Sequence, residues 1–352
     1  MIKWIQRVLL SPASFLYGLA VGLHQSLYWS GFLKSIKFSV PVISIGNLSV
    51  GGTGKSPHVY YLLELLREYI HPAVISRGYK RKTEGFRLVN RDDQVSMVGD
   101  EALQTKIKFP DIPVAVAESR ALGIPALLAK RPEIQLVLMD DGFQHLQVKP
   151  GLNILLTEYA SPFSQDALLP GGRLREWRHG AGRADIIIVS KCPKEPTAEE
   201  TTKWRKELNI HAHQKLFFST IRYSKPYHFL NPQRSLFFNQ SMHVTVLSAI
   251  AQSSYLVNEI SQHVASTIEI SFEDHHYFSE QEIREIIRKF NAISNPNKII
   301  LTTEKDATRL TAYSALLEQE KIDIFVMPIS IDFYQKNEFD QTIKQFLLDF
   351  KI

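Results

Sequence analysis

The sequence predicts an α/β protein: a mostly parallel sheet with helices on both faces, followed by a smaller α/β unit. Three observations carry this expectation. Apolar runs of strand length alternate with stretches of helical spacing across residues 42–190, and that alternation makes parallel sheets covered on both sides. Polar and charged residues gather at the expected strand ends, at 49–56, Arg77, Arg120 and Asp140 with Asp141, where ligands of such sheets bind. The alternation resumes after an irregular stretch at 223–240.

At 352 residues the chain is long enough for two domains. One cysteine, Cys192, allows no internal disulfide and fits a reducing compartment. Net charge is +5, and its distribution says more than its size. Residues 1–63 contain Lys3, Arg7, Lys34, Lys37 and Lys55 but no acid; the first is Glu64. A basic, acid-free and aromatic N-terminus suits an anionic surface. No nucleic-acid module accompanies the charge, so nucleic acid is not expected as a partner.

In residues 1–38, Ile5, Val8, Leu9, Pro12, Phe15, Leu16, Leu19, Leu23 and Leu27 follow helical spacing, with Trp4, Tyr17, Tyr28, Trp29 and Phe32 as interface-favouring rings. The longest unbroken apolar run is too short to span a bilayer, and no clear cleavage site follows it. One or two amphipathic helices lying in a membrane surface are expected. A helix packed on the protein's own sheet is the alternative.

Val42-Ile43-Ser44-Ile45-Gly46-Asn47 reads as a buried strand. It runs into Leu48-Ser49-Val50-Gly51-Gly52-Thr53-Gly54-Lys55-Ser56, with Pro57 at an early position of the next helix. Strand, glycine turn and helix start form the context of a phosphate-binding loop, so the fold class is P-loop NTPase-type. Backbone N–H groups of residues 49–56 would cradle phosphates, Lys55 would reach the β- and γ-phosphates, and Ser56 would ligate Mg²⁺. Ser49 stands where the general pattern has glycine.

Further along, a helix is expected to Tyr69, strands at 73–76, 114–117, 136–139, 153–157 and 185–190, and helices at 102–108 and after Arg120. Residues 82–99 read as a small hairpin or flap, and 169–176 as a mobile loop with two arginines. Domains are placed at 1–38 (membrane-interfacial), 39–230 (phosphate-loop domain) and 231–352 (smaller C-terminal α/β domain).

Asp140-Asp141 follow an apolar strand, where a carboxylate holds the Mg²⁺ shell in P-loop enzymes. Adjacent strand residues rarely both point inward, so the pair should divide labour. Gln144 and His145 are near enough to join. Asp100 reads equally as helix cap or general base. His275 and His276 lack zinc-site spacing; a histidine that tunes a carboxylate across the domain interface is one reading, but on pattern alone Asp274 capping a helix beside packed histidines is favoured. Arg77, Arg120, Arg173 and Arg175 suit phosphates through the guanidinium fork.

Gly46-Asn47-Leu48-Ser49 through Pro57, Ser76-Arg77-Gly78-Tyr79, Gly99-Asp100-Glu101, Asp140-Asp141-Gly142-Phe143-Gln144-His145, Leu169-Pro170-Gly171-Gly172-Arg173-Leu174-Arg175-Glu176, Phe272-Glu273-Asp274-His275 and Thr303-Glu304-Lys305-Asp306-Ala307 together resemble the tetraacyldisaccharide 4'-kinase (lipid A 4'-kinase) family. The Asp-Asp-Gly-Phe-Gln-His run and the loop with Ser49 are its most specific signatures. The resemblance implies ATP-dependent phosphorylation of the 4'-hydroxyl of an acylated glucosamine disaccharide 1-phosphate, giving lipid IVA. It also implies a monotopic protein on the cytoplasmic face of the inner membrane. It makes Lys55 a phosphate ligand, and Ser56, Asp140, Asp141 and Gln144 the Mg²⁺ group. Asp100 becomes the base and His275 its partner. Arg77, Tyr79, Arg120, His145 and Arg173 fall to the substrate. Ser56 replaces the family's common Thr, and Ser248-Ala249-Ile250-Ala251 stands for its Gly-Ile-Ala run. The competing reading is a membrane-associated P-loop ATPase switch without a lipid substrate. A GTPase is disfavoured, because Ser190-Lys191-Cys192-Pro193 lacks the base-reading Asn and Asp.

Overall fold

The computed structural model describes residues 2–351, with side chains described from Val8 to Lys351. The larger sheet contains β1 (Val42–Asn47), β2 (Pro72–Ser76), β3 (Arg87–Leu88), β4 (Val114–Val116), β5 (Leu136–Asp140), β6 (Leu152–Glu158), β7 (Ile186–Ser190) and β8 (Lys215–Tyr223). The smaller sheet contains β9 (Tyr227–His228), β10 (His243–Ser248), β11 (Ser266–Ser271), β12 (Lys298–Thr303) and β13 (Ile324–Met327). The last strand, β14 (Ile329–Phe333), returns to the larger sheet.

The nine-stranded order is β14-β8-β7-β6-β1-β5-β2-β4-β3, so β1 is central, flanked by β5 and β6. Every pair is parallel except the two edges, β3 with β4 and β14 with β8. The smaller sheet runs β11-β10-β12-β13-β9, antiparallel only at β9. Parallel strands buried on both faces need continuous apolar runs, and β1, β2, β5 and β7 are buried at every residue.

The helices are α1 (Ile2–Trp29), α2 (Lys55–Leu66), α3 (Val95–Val98), α4 (Asp100–Lys108), α5 (Arg120–Lys130), α6 (Ala198–Glu207), α7 (Ser254–Ser261), α8 (Glu280–Asn291), α9 (Glu304–Leu310), α10 (Ser314–Gln319) and α11 (Lys336–Asp349). Residues of α2, α4 and α11 share one core with the larger sheet, centred on Leu62, Leu103, Phe217 and Phe339. On the opposite face, α5 covers β2, β4 and β5, while Tyr17 of α1 and Trp204 of α6 pack near β6 and β7. The smaller sheet lies between α8 on one face and α7 on the other.

Several expectations need correction. Residues 82–99 form no hairpin: β3 pairs with β4 instead, and α3 follows. The 169–176 segment is not free; Ser49 bridges Leu174, Leu174 is buried, and Glu176 is 1% exposed. The sheets also do not divide at residue 230. β9 belongs to the smaller sheet although it precedes that boundary, while β14 and α11 rejoin the larger one.

The N-terminal segment is a single helix, α1, with an inverted arrangement. Its small and polar side faces the protein: Ser14 and Gln25 are buried, and Ser14 Oγ donates to the Leu168 carbonyl at 3.1 Å. Trp177 Nε1 donates to the Gly18 carbonyl at 2.8 Å. Leu9, Phe15, Leu16, Leu19 and Leu23 are all more than half exposed. The helix does pack on its own protein, as the alternative reading held, but with the face opposite to the apolar row. The expected contributions of Lys3, Trp4, Ile5 and Arg7 lie outside the described side chains.

Candidate active site

The phosphate loop leaves β1 at Asn47 and enters α2 at Lys55. Its left-handed positions are Gly51 (φ 116°) and Gly54 (φ 89°), conformations that glycine adopts without a Cβ clash. Ser49 takes a different part: it bridges Leu174 and pins the 169–176 segment to the loop. Thr53 accepts from Asn47 Nδ2 at 2.9 Å, and its carbonyl accepts from Ser190 Oγ at 2.8 Å. The loop is thus tied to β1 and β7. His58 Nδ1 donates to the Gly54 carbonyl at 2.7 Å, and its Nε2 accepts from Ser219 at 2.9 Å. Burial pushes this imidazole down to about 4, so it stays neutral and holds the end of the loop.

β5 delivers the two aspartates differently. Asp140 is buried and accepts from Ser56 Oγ at 2.9 Å through Oδ2; its buried Oδ1 has no partner among the described residues. Burial, with Glu101 nearby, pushes Asp140 up to about 7 against the pull of Lys55. Asp141 lies beyond the strand at φ 53°. Its carboxylate takes both arms of Arg175, at 2.8 and 3.0 Å, and sits 3.7 Å from Lys55 Nζ. Burial would raise Asp141, but Lys55 and Arg175 hold it well below the usual carboxylate range. The two carboxylates thus sit in different surroundings, Asp140 against Ser56 and Asp141 against Arg175 and Lys55.

Gln144 Nε2 donates to the Asn47 carbonyl at 2.9 Å and to Glu176 Oε1 at 2.8 Å, and its Oε1 is buried without a partner among the described residues. The unpartnered oxygens of Asp140, which holds the Ser56 hydroxyl, and of Gln144 are donors of the kind that fits a hard cation. Among the described residues no group of three or more His, Cys, Asp or Glu gathers as metal ligands. Mg²⁺ does not need one, because it keeps waters and phosphate oxygens alongside one or two carboxylates.

The second half of the site comes from both sheets. Asp100 opens α4, but Gly99 occupies the N-cap position; Asp100 Oδ1 accepts from the adjacent Glu101 N–H. Asp100 Oδ2 accepts from His275 Nδ1 at 2.9 Å and from Arg309 Nε at 3.1 Å, with Arg309 Nη2 closing a second arm. Burial would raise this carboxyl, but the His275 hydrogen bond and the Lys305 and Arg309 charges keep it well below its ordinary range. His275 sits at φ 61° after β11. Its Nε2 accepts from Lys305 Nζ at 3.2 Å, and Tyr79 meets its ring edge-on at 4.8 Å. Lys305 also reaches Glu101 at 3.2 Å and Asp274 at 3.5 Å. The helix start after Asp274 is capped by Ser279 with Glu282, not by Asp274.

A second bridge crosses between the sheets on the other side of the phosphate loop. Glu158, at the end of β6, takes Lys191 at 3.1 Å, Gln252 at 3.0 Å and Tyr255 at 3.0 Å. A Cβ added to Gly52 would lie 3.5 Å from Ala251, so the segment after β10 rests on the loop.

The other expected substrate residues part company. Arg77 is exposed at the end of β2, and Tyr79 is 55% exposed beside His275. Arg173 lines the hollow beside residues 49–53 with Glu158, but its Nε is engaged by Asp166 at 2.7 Å. Burial, with Arg120 close by, pushes His145 down to about 3, so its ring is neutral. Arg120 is 1% exposed and donates to the carbonyls of Ala117, Glu118 and Asp140. These bonds tie it to the end of β5, and its buried Nε has no partner among the described residues. Sequence reasoning missed Arg309, Lys305, Glu158 and Glu176 as site-forming residues. Arg309 follows Lys305 by four, on the same helical face, and that spacing was the available signal.

With this geometry in hand, comparison with known proteins is informative. A family model described as Tetraacyldisaccharide-1-P 4'-kinase matches residues 6–348. A Tetraacyldisaccharide 4'-kinase of Bacteroides thetaiotaomicron is 42% identical over 354 residues, covering 97% of this chain and 92% of the relative. One from Flavobacterium johnsoniae is 40% identical and covers 97% of each. A crystal structure of LpxK from Aquifex aeolicus in complex with ATP superposes with a TM-score of 0.72 at 27% identity, covering 97% of this chain and 99% of the other.

Proposed function

The chain belongs to the tetraacyldisaccharide 1-phosphate 4'-kinase family, and we propose that the cleft between its two sheets is where that reaction takes place. The protein is an ATP-dependent kinase acting at the 4' position of tetraacyldisaccharide 1-phosphate, the lipid A 4'-kinase reaction. The switch reading is set aside, since the matched relatives are named as kinases.

The observation that carries the site reading is Asp100: a buried carboxylate of one sheet held by His275 and Arg309 from the other. Lys55, at the start of α2, lies against the β- and γ-phosphates and offsets their charge. Ser56, Asp140 and Gln144 would hold Mg²⁺, which would supply charge neutralisation on the transferring phosphoryl group. Asp141, already neutralised by Arg175 and Lys55, shapes the loop instead of binding the ion directly. Asp100 accepts the 4'-hydroxyl proton at Oδ1, the oxygen free of the other sheet. Its low proton affinity suits the resting state, and an incoming triphosphate raises it by like-charge repulsion. His275 orients the carboxylate through Nδ1–H while Lys305 fixes the ring at Nε2. Arg77, Tyr79 and the neutral His145 face the phosphorylated sugar.

The outward row of α1 lies in the membrane surface on the cytoplasmic face of the inner membrane, where ATP and the lipid head meet. Val8–Trp29 is long and apolar enough to cross a bilayer. The bonds from Ser14, Gly18 and Gln25 to the body of the protein support a helix lying flat, with its exposed leucines immersed.

The test is phosphoryl transfer from labelled ATP to the acylated disaccharide 1-phosphate, with wild type and Lys55→Ala. Wild type should label the lipid, and the variant should lose most of that activity. Hydrolysis of ATP without labelled lipid, or near-wild-type turnover in the variant, would overturn the reading.

A further inference from the structure

We infer that α1 is a working wall of the active site, with Gln25 a positioning residue that acts through Glu176 on Gln144. This rests on the site reading above, in which Gln144 serves the phosphates and their cation.

Gln25 is 3% exposed on a helix whose other side is an exposed apolar row. A buried amide needs a partner. Here Gln25 Nε2 donates to Glu176 Oε2 at 2.5 Å. The other oxygen of Glu176 accepts from Gln144 Nε2 at 2.8 Å and from Arg183 Nη2 at 3.0 Å. Gln144 in turn donates to the carbonyl of Asn47, the last residue of the strand that launches the phosphate loop. Three side chains therefore connect the membrane-facing helix to the loop, and two of them are almost wholly enclosed.

The contact is not isolated. Tyr17 Oη donates to the carbonyl of Arg175 at 2.8 Å, and Arg175 is the residue whose guanidinium grips Asp141. Ser14 Oγ accepts from the Gly171 N–H at 2.9 Å, and Gly18 takes the Trp177 indole. At Gly18 even a Cβ would press to 2.5 Å of the Trp177 ring, so helix and segment are fitted closely. Successive turns of α1 thus hold residues 168–177, whose side chains at 175 and 176 position Asp141 and Gln144. A helix serving only as an anchor would need none of these bonds. Residues that orient binding groups are conventionally worth about 10- to 100-fold in activity.

The test compares Gln25→Leu with Gln25→Lys in the full-length protein. Leucine keeps the volume and adds apolar surface, so it cannot weaken membrane seating, but it removes the donor to Glu176. Lysine restores a donor. Measured quantities are kcat, KM for ATP, flotation with anionic vesicles and unfolding temperature. Gln25→Leu should lower kcat roughly 10-fold with flotation and unfolding temperature held, and Gln25→Lys should recover most of the loss. Wild-type kcat in Gln25→Leu would overturn the inference. So would equal losses in both variants that track a drop in unfolding temperature. Gln144→Ala separates the two layers of argument. If it too keeps full activity, the site reading fails along with the inference; if it loses activity while Gln25→Leu does not, only the inference fails.

Discussion

At the scale of single residues, the site depends on burial deciding which groups carry charge. His58 is the clearest case. Its two nitrogens are satisfied in the neutral form, by Gly54 and Ser219, and burial pushes it down to about 4. The unfolded chain would bind a proton near the ordinary histidine value, so it gains protons first as pH falls. Stability is therefore complete above about pH 6.5 and is lost progressively toward pH 4, by about 3 kcal/mol for this group. Urea titrations of wild type and His58→Gln across this range should show the variant with a shallower acid loss; parallel curves would contradict the assignment. Some placements were legible beforehand. Lys55-Ser56 open α2 directly after the glycine turn, and Asp140 ends the apolar strand β5, with Asp141 just beyond it. Arg120 was not legible. A strand-end arginine in sequence can open onto a ligand or fold back on carbonyls, and only the packing of α5 against β5 decides.

At the scale of elements, α1 shows where pattern reading stops. Helical spacing of Leu9, Leu16 and Leu23 predicts the helix. It does not say which side faces the protein, because the docking surface, residues 168–177, lies far away in sequence. Ser14, Gly18 and Gln25 are the face that is buried. The small Ser14 and Gly18 and the amide of Gln25 match a surface of backbone and carboxylate groups better than leucine would. The exposed row should then be separable from the docked one. Leu16→Glu with Leu23→Glu places two charges on the outward face, where each leucine would otherwise contribute about 1.5–3 kcal/mol on immersion. Flotation with anionic vesicles should fall sharply while phosphoryl transfer to the acylated disaccharide in detergent stays near wild type. Retained flotation would place the membrane contact elsewhere. Truncating α1 would be a poorer experiment, since it also removes Gln25 and Tyr17 from the site.

At the scale of the whole molecule, the chain does not read out its two sheets in order. β14 pairs with β8, and α11 packs Phe339 against Phe217 and Phe333 in the larger core. Nothing local in residues 336–349 shows that the partner sheet of α11 was built a hundred residues earlier. Phe339→Ala should accordingly cost about 3–5 kcal/mol in the unfolding of the phosphate-loop sheet. Loss of ATP binding together with the first unfolding transition would mark that effect, and a variant as stable as wild type would contradict the shared core.

The same return of the chain makes the active site a product of two sheets. Asp100 belongs to the larger, and His275 with Arg309 flanks the smaller. If chemistry needs them as one unit, closure of the sheets is coupled to catalysis and limits wasteful hydrolysis. The most direct measurement is a double-mutant cycle in kcat at saturating lipid and ATP, with Asp100→Ala, His275→Ala and both together. Loss of the base should cost roughly 10²–10⁴-fold, His275→Ala should also lower kcat, and the double variant should be little worse than Asp100→Ala alone, because residues acting as a unit are non-additive. Losses that simply multiply would show two independent residues and contradict a catalytic centre assembled across the sheets.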